Sequence, residues 1–556
     1  MTLQYDPVGN LTTTLYLSGS DQIVSYTARN EVDVVRLSGN IRYTNTYDQV
    51  GNRTLLRDTS DGRHTYSYDA LNRVASFVNS ESRVYTFSYD ADSRRTTVNY
   101  GTGDRLTAYD ALSRVVTQVE RVGGSPILTI VDAYDSAGRK ISQLRDAVLM
   151  SYTYDSADRL TGQQVAGAFA TFTMDAVGNI TVKSQEGSSP ITMTYNAGSR
   201  LVTSVEGAVV STYTFDANGN QTAVNAGGSR TTYAYDYENR MRTAIDPGGA
   251  RSTLAYWADG MRRFLEVGGT RTTFVWDGSD YLQSRTPSEV TTFSTVDARI
   301  LDSETGGSES LLVPDSLGSV VKVLDASGNQ VYDAAYWPYG EIRDSVGVND
   351  TSWGYAGTWG YHFDTARRLY DRARVFDPVT GRWYTVDPLW PNQLGFGYAG
   401  QDPVKFFDYL GLSPCEPPKD CSKLKCAAPR KLIQMRCPNG DLDCDCCSGG
   451  TTNYLCQGKM GPKPGDSIEV KCPDGAGGGG GGGGTPPPPP TESCIACSLR
   501  VTAPGEKCSQ DKPGLKGIRC ILGQCPVCLK IPPIRFRYGE LSYGPGGLFL
   551  GISIRF

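Results

Sequence analysis

The residues with the widest chemical repertoire in this 556-residue chain are 15 cysteines and two histidines, and they are segregated. Every cysteine falls between positions 415 and 528, whereas His64 and His362 precede them all. The last six cysteines include two Cys-x-x-Cys pairs, Cys494/Cys497 and Cys525/Cys528, set 27 residues apart. Four thiolates so paired could hold tetrahedral zinc, although the gap is wider than in common zinc ribbons. Disulfides are the expected state, because six is an even number and an exported module too small for its own core needs staples. Nine cysteines from Cys415 to Cys472 leave one unpaired or shared between modules. With no histidine after Leu412, the tail lacks the base that Cys-His proteases, His-dependent nucleases and zinc deaminases require. His64 lies in a repeat strand and is expected to be structural, as is His362.

Composition separates the same two regions. Positions 415–556 hold 18 basic and 12 acidic residues, net +6, which leaves the first 414 residues at −11 of the total −5. An acidic body argues against nucleic acid as its partner. No run of about 20 apolar residues exists to span a membrane as a helix. The opening Met1-Thr-Leu-Gln-Tyr5 has no basic and apolar leader, so no secretory signal is visible and export would use an upstream part or a specialised system. With 39% apolar residues, 63 glycines and 33 tyrosines, the chain reads as short strands joined by turns.

A motif Tyr-Asp-x-x-(Gly/Asn/Ser)-(Asn/Arg) begins at Tyr47, Tyr68, Tyr89, Tyr109, Tyr134, Tyr154, Met174, Tyr195, Phe215 and Tyr235, with spacings of 20 to 25 residues. An outlying copy begins at Tyr5, and degenerate ones at Tyr256 and Trp276. So regular a period marks a repeat array, in which each unit needs its neighbours to bury its apolar face. Two positions before the motif sits a second large residue, as in Tyr66 with Tyr68 or Tyr233 with Tyr235. Residues i and i+2 share one side of a strand, so the rings form a ladder on one sheet face. The aspartate then starts a turn, and Gly or Asn supplies its left-handed residue. The predicted fold is all-β, an antiparallel sheet running continuously to about residue 412.

From Asp315 the copies give way to other blocks: Asp315-Ser-Leu-Gly-Ser319, Asp325-Ala-Ser-Gly328, Tyr336-Trp-Pro-Tyr-Gly340 and Gly354-Tyr-Ala-Gly357. Tyr370-Asp-Arg-Ala-Arg374-Val-Phe-Asp377-Pro-Val-Thr-Gly381-Arg382-Trp, Asp387-Pro-Leu and Asp408-Tyr-Leu-Gly-Leu412 follow. Repeats and blocks together resemble the YD-repeat proteins of the RHS family, with an RHS repeat-associated core. That family includes wall-associated proteins, C subunits of insecticidal toxin complexes and teneurins. The resemblance implies a spiralling β-shell over 1–310 and a core over 311–412 that plugs one end of it. In toxin members it further implies that the core cuts its own chain after Leu412, with Asp377 and Asp387 as the carboxylate pair. Two carboxylates held close cannot both ionise, so one serves as acid and one as base. Arg374 or Arg382 would hold the charged member bidentately. Tyr409 stands where the family has proline, which puts presentation of the scissile bond in question. The alternative is that Asp377-Pro and Asp387-Pro merely initiate turns.

Beyond the core, a first cysteine-rich segment over 413–476 is expected to be poorly ordered, with Gly/Pro-rich 477–490 as a linker. A second module over 491–556 would be stapled locally and end in strands at 534–538 and 548–556 around Gly544-Pro-Gly-Gly547. Two functions fit. One is toxin-type delivery, with the chain's own C-terminal segment enclosed and released. The other is a secreted or cell-surface adhesion protein, without enzymatic activity, that binds a surface protein or carbohydrate. No cofactor is expected for either.

Overall fold

The computed structural model describes residues 2–15, 22–257, 259–388 and 395–412, together with the strand backbone of short hairpins beyond them. Residues 2–347 form one sheet of 34 strands, numbered β1 (Thr2–Tyr5) to β34 (Ile342–Gly347) in chain order. Each described strand pairs antiparallel with the next, from β1 with β2 to β33 with β34. No described helix is long and apolar enough to cross a membrane.

The repeat motif explains how this meander is built. In β7 (Arg63–Tyr68) the register shifts between Ser67 and Tyr68, a bulge that turns the strand into the loop. Asp69 Oδ1 then accepts the N–H groups of Leu71 at 2.8 Å and Arg73 at 3.0 Å, and Asn72 takes a left-handed φ of 59°. The Asp69 carboxyl is held below its usual range by its bond from Arg73 Nε at 2.7 Å. The Arg73 guanidinium, so fixed, lies 4.4 Å over the ring of Tyr89, the first residue of the next repeat. Where asparagine replaces arginine the reach is kept: Asn52 Nδ2 donates to Asp48 and to Asn72, each at 2.9 Å. The motif tyrosine points inward and back. Tyr68 donates to Arg53 O at 2.9 Å, Tyr89 to Val74 O at 2.8 Å and Tyr195 to Ile180 O at 2.6 Å. A unit that opens on tyrosine is thus bonded to the one before it through that hydroxyl, and its last turn residue reaches the one after it.

The expected ladder is present. In β15 (Val148–Tyr154), Met150 and Tyr152 are buried and Tyr154 is partly buried, while Ser151 and Thr153 are exposed. Tyr66 and Tyr68 share a face, with exposed Ser67 between them. The sheet curls until strands far apart in sequence meet across this face. Arg53 bonds Asp277, Asn79 Nδ2 donates to Asp302 at 3.3 Å, and Gln118 donates to Pro314 O at 2.6 Å. Leu56, Tyr233, Phe274 and Trp276 fill one interior cluster, and Phe77, Tyr85, Leu128 and Leu324 another.

The sheet ends sooner than the sequence suggested. It stops at Gly347, and 349–388 with 395–412 form a plug of short strands and two 3-10 turns; β35 to β38, spanning His362–Thr365, Arg368–Asp371, Arg374–Asp377 and Arg382–Trp383, make a separate small sheet. The reason lies in side-chain alternation. All four residues of Arg368–Asp371, and all four of Arg374–Asp377, are buried. These strands have lost the inward-outward alternation of the repeats and pair only among β35 to β38. Trp359, Tyr361, Phe376 and Tyr398 of the plug pack with Met150, Phe172 and Met193 of the ladder. His64 and His362 are both structural, bonded to Asp58 and Asp364 at 3.1 and 2.9 Å.

The chain divides into two compact units, Met1–Gly475 and Ala476–Phe556. Past the plug the backbone forms hairpins Lys431–Arg436 with Leu442–Cys447 and Gly450–Leu455 with Ser467–Cys472. In the second unit, Leu541–Gly544 pairs with Gly547–Leu550, so the strand opposite the last one lies at 541–544. The proposed strand at 534–538, the cysteine cross-links and the zinc alternative at Cys494, Cys497, Cys525 and Cys528 lie outside the described residues.

Candidate functional site

The plug's central hairpin turns through Arg372-Ala373, with Arg372 at φ 42°, and sets Asp371 opposite Arg374. Ala373 N–H donates to Leu410 O at 3.1 Å, which lays the segment 408–412 along this turn. Close backbone approach continues at Gly411, φ 69°, where a Cβ would stand 2.5 Å from Asp371 O. Glycine is therefore required there.

Arg374 is the organising group, only 3% exposed. Its Nη2 donates to Asp408 Oδ2 at 2.9 Å, its Nε to Gly411 O, and its Nη1 lies 2.9 Å from Asp387 Oδ2. The last contact is an ion pair without hydrogen-bond alignment, since Nη1 makes no hydrogen bond. Asp408 Oδ1 also accepts the N–H of Leu412 at 2.8 Å. One guanidinium therefore joins two buried carboxylates to the backbone immediately before Leu412.

The sequence-derived residues are divided by this geometry. Asp387 and Arg374 come together. Asp377 does not share their guanidinium: its Oδ2 accepts from Arg367 Nη2 and Thr380 Oγ1, each at 3.0 Å, and its Oδ1 from Val379 N–H at 3.1 Å. That is the turn-initiating alternative for Asp377-Pro. Arg382 donates to Asn179 Oδ1 at 3.0 Å and to Ser199 O, and lies 4.6 Å over Tyr195, pinning the plug to the repeats. Asp408 was read only as part of the terminal motif, and Asp371 was not singled out. The sequence signal for Asp408 was its place four residues before Leu412, which suits an aspartate capping the N–H of i+4, as Asp69 and Asp135 do in the repeats. Tyr409 in place of proline brings its own restraint. Its hydroxyl donates to Asp280 Oδ1 at 2.7 Å, and its ring lies 4.2 Å from the Arg372 guanidinium. A cavity of about 10 Å³, lined by Tyr370, Arg374, Val375 and Tyr384 among others, has room for one water molecule.

Within the array, residues 215–251 match the RHS Repeat family model. A 95-residue stretch is 33% identical to Salivary gland surface protein 1 of Aedes aegypti, covering 17% of this chain and 3% of that protein. Among solved structures, the crystal structure of TcdB2-TccC3-TEV is similar over 74% of this chain at 14% identity and a TM-score of 0.39. A Photorhabdus luminescens Tc holotoxin pore is similar over 75% at 14% identity and a TM-score of 0.38. The chain spans 28% of the length of each of these two structures.

Proposed function

We propose that this chain is a toxin-delivery type shell protein whose plug presents the variable segment after Leu412 and frees it by cutting its own backbone there. The observation that carries this reading is the binding of Asp387, Asp408 and Gly411 O by the single guanidinium of Arg374. In this reading a water molecule attacks the Leu412 carbonyl carbon while one carboxylate takes its proton. That carboxyl, now protonated, gives the proton to the nitrogen of residue 413 as the C–N bond breaks. Arg374 holds both carboxyls and the backbone in register. The repeats enclose or present the segment, 413–476 and 491–556 are its modules, and 477–490 is the linker. Such a protein acts outside the cell that makes it.

Electrophoresis of the purified full chain tests this. Because 144 of 556 residues follow Leu412, a cut yields a fragment of about 15 kDa from the 60.2 kDa chain. Asp387→Asn and Asp408→Asn should each leave the chain intact. A wild-type chain that stays whole at every pH, or variants that still cut, would overturn the reading.

An adhesion role is the second reading, favoured by an apolar row on the outer face of the sheet. Val131, Leu144 and Leu149 are directly opposite one another on successive strands and 38% to 57% exposed. Loss of surface binding in Leu149→Ser with an unchanged cutting pattern would separate the two.

A further inference from the structure

Three carboxyls and two guanidiniums meet at the plug hairpin with almost no water access. Asp371, Asp387 and Asp408 are 0%, 3% and 2% exposed, and Arg372 and Arg374 are 2% and 3% exposed. Three negative charges against two positive ones, buried together, require one proton to stay. The hydrogen bonds decide where it sits. Asp408 accepts from Arg374 and from the N–H groups of Leu410 and Leu412, which favours its ionised form. Asp387 faces Arg374 Nη1 at 2.9 Å. Asp371 has the weakest support. Its Oδ1 receives one 3.3 Å bond from Arg372, whose guanidinium also donates to the carbonyls of Ser279, Trp359 and Tyr409. Its Oδ2 is buried and has no hydrogen-bond partner among the described residues.

We propose that Asp371 carries the cluster's proton and is a positioning residue for the cut, because its neutral carboxyl leaves Arg374 wholly to Asp387, Asp408 and Gly411. Burial, then the nearby Asp408, push the Asp371 carboxyl well above the usual carboxylate range, against the pull of Arg372 and Arg374. The other titratable groups facing it are Tyr281, Tyr361 and Tyr398, all raised by burial and neutral. Once Asp371 ionises, a third charge competes for the two guanidiniums, and the bonds that hold 408–412 weaken. Cutting is therefore expected to stop on the alkaline side. The rate of that cut rests on the function proposed above, whereas the proton on Asp371 does not.

Two measurements on the full chain keep these apart. In thermal melts, stability held by a raised carboxyl is complete below the unfolded carboxylate range and falls as pH rises toward the folded value. The melting temperature of wild type should drop relative to Asp371→Asn as pH rises, because the amide never ionises. Asp408→Asn balances the charges at two against two and should reduce the same drop, which serves if Asp371→Asn does not fold. In cutting assays, the wild-type rate should fall about tenfold per pH unit beyond the loss of the proton. Asp371→Asn should carry cutting to higher pH. A melting gap that stays constant with pH, or cutting profiles that superimpose, would overturn the proposal. If wild type never cuts, the proposed function fails and the melts still decide where the proton sits.

Discussion

Asp302 offers the sharpest stability test. It is fully buried where distant strands of the curled sheet meet, in contact with the Tyr85 hydroxyl and with Asn79 Nδ2 at 3.3 Å, and its Oδ1 has no hydrogen-bond partner among the described residues. Burial pushes this carboxyl from 3.8 up to about 7, with Glu309 adding repulsion and Arg83 opposing it. A raised folded value means the neutral acid is what the fold accommodates. Its stability is complete below about pH 4, falls between pH 4 and 7 and is level above, because the unfolded carboxyl ionises first. At about 1.4 kcal/mol per pH unit, that interval amounts to up to about 4 kcal/mol. Asp302→Asn cannot ionise, so it should match wild type near pH 4 and exceed it by a few kcal/mol at pH 8. Urea unfolding followed by tryptophan fluorescence, at half-unit steps from pH 4 to 8, measures the gap. A gap independent of pH, or one that favours wild type as pH rises, would refute the reasoning.

Four further outcomes are expected. Tyr89→Phe removes the bond to Val74 O, which should cost about 0.5 to 1.5 kcal/mol in urea unfolding. Tyr237→Phe, at an 87% exposed tyrosine in a variable position of the motif, should cost nothing measurable. Gly411→Ala puts a Cβ within 2.5 Å of Asp371 O at a φ of 69°, so it should displace 408–412 and stop the cut, read on a gel while the melt of the repeats persists. Ser82→Gly, at an exposed turn with φ 67°, should stabilise the chain by about 0.5 kcal/mol in the same unfolding assay.

The repeat was legible because its physics is local. Bulge, aspartate turn and left-handed residue all lie within six positions, and i, i+2 aromatics declare the buried face. The bonds between units were not. Arginine and asparagine alternate at the last turn position because both reach the next unit, a reason visible only once Arg73 is seen over Tyr89. The closure of the sheet was hidden for another reason: nothing in the sequence near Asn79 points to Asp302. At the candidate site, Arg374 and Asp387, named from the family resemblance, lie side by side, whereas Asp377, with the same Asp-Pro signature, accepts a bond from within its own turn. Asp371 was not legible, since its character comes from burial and from an imbalance of charges contributed by separate segments.

The meeting of Tyr85 with Asp302, 217 residues later, bears on how the chain is made. At 5 to 20 residues per second, ribosomal synthesis leaves on the order of 10 to 40 s between the emergence of the two. During that interval the early hairpins can form, because their bonds run to neighbours a few residues away, but their inner aromatic faces stay uncovered. A nascent chain in this state presents a wet sheet of tyrosine, phenylalanine and valine to whatever surrounds the ribosome. Its demand for holding chaperones should be greatest just before residues 277–312 emerge, and it should rise when translation of that stretch is slowed.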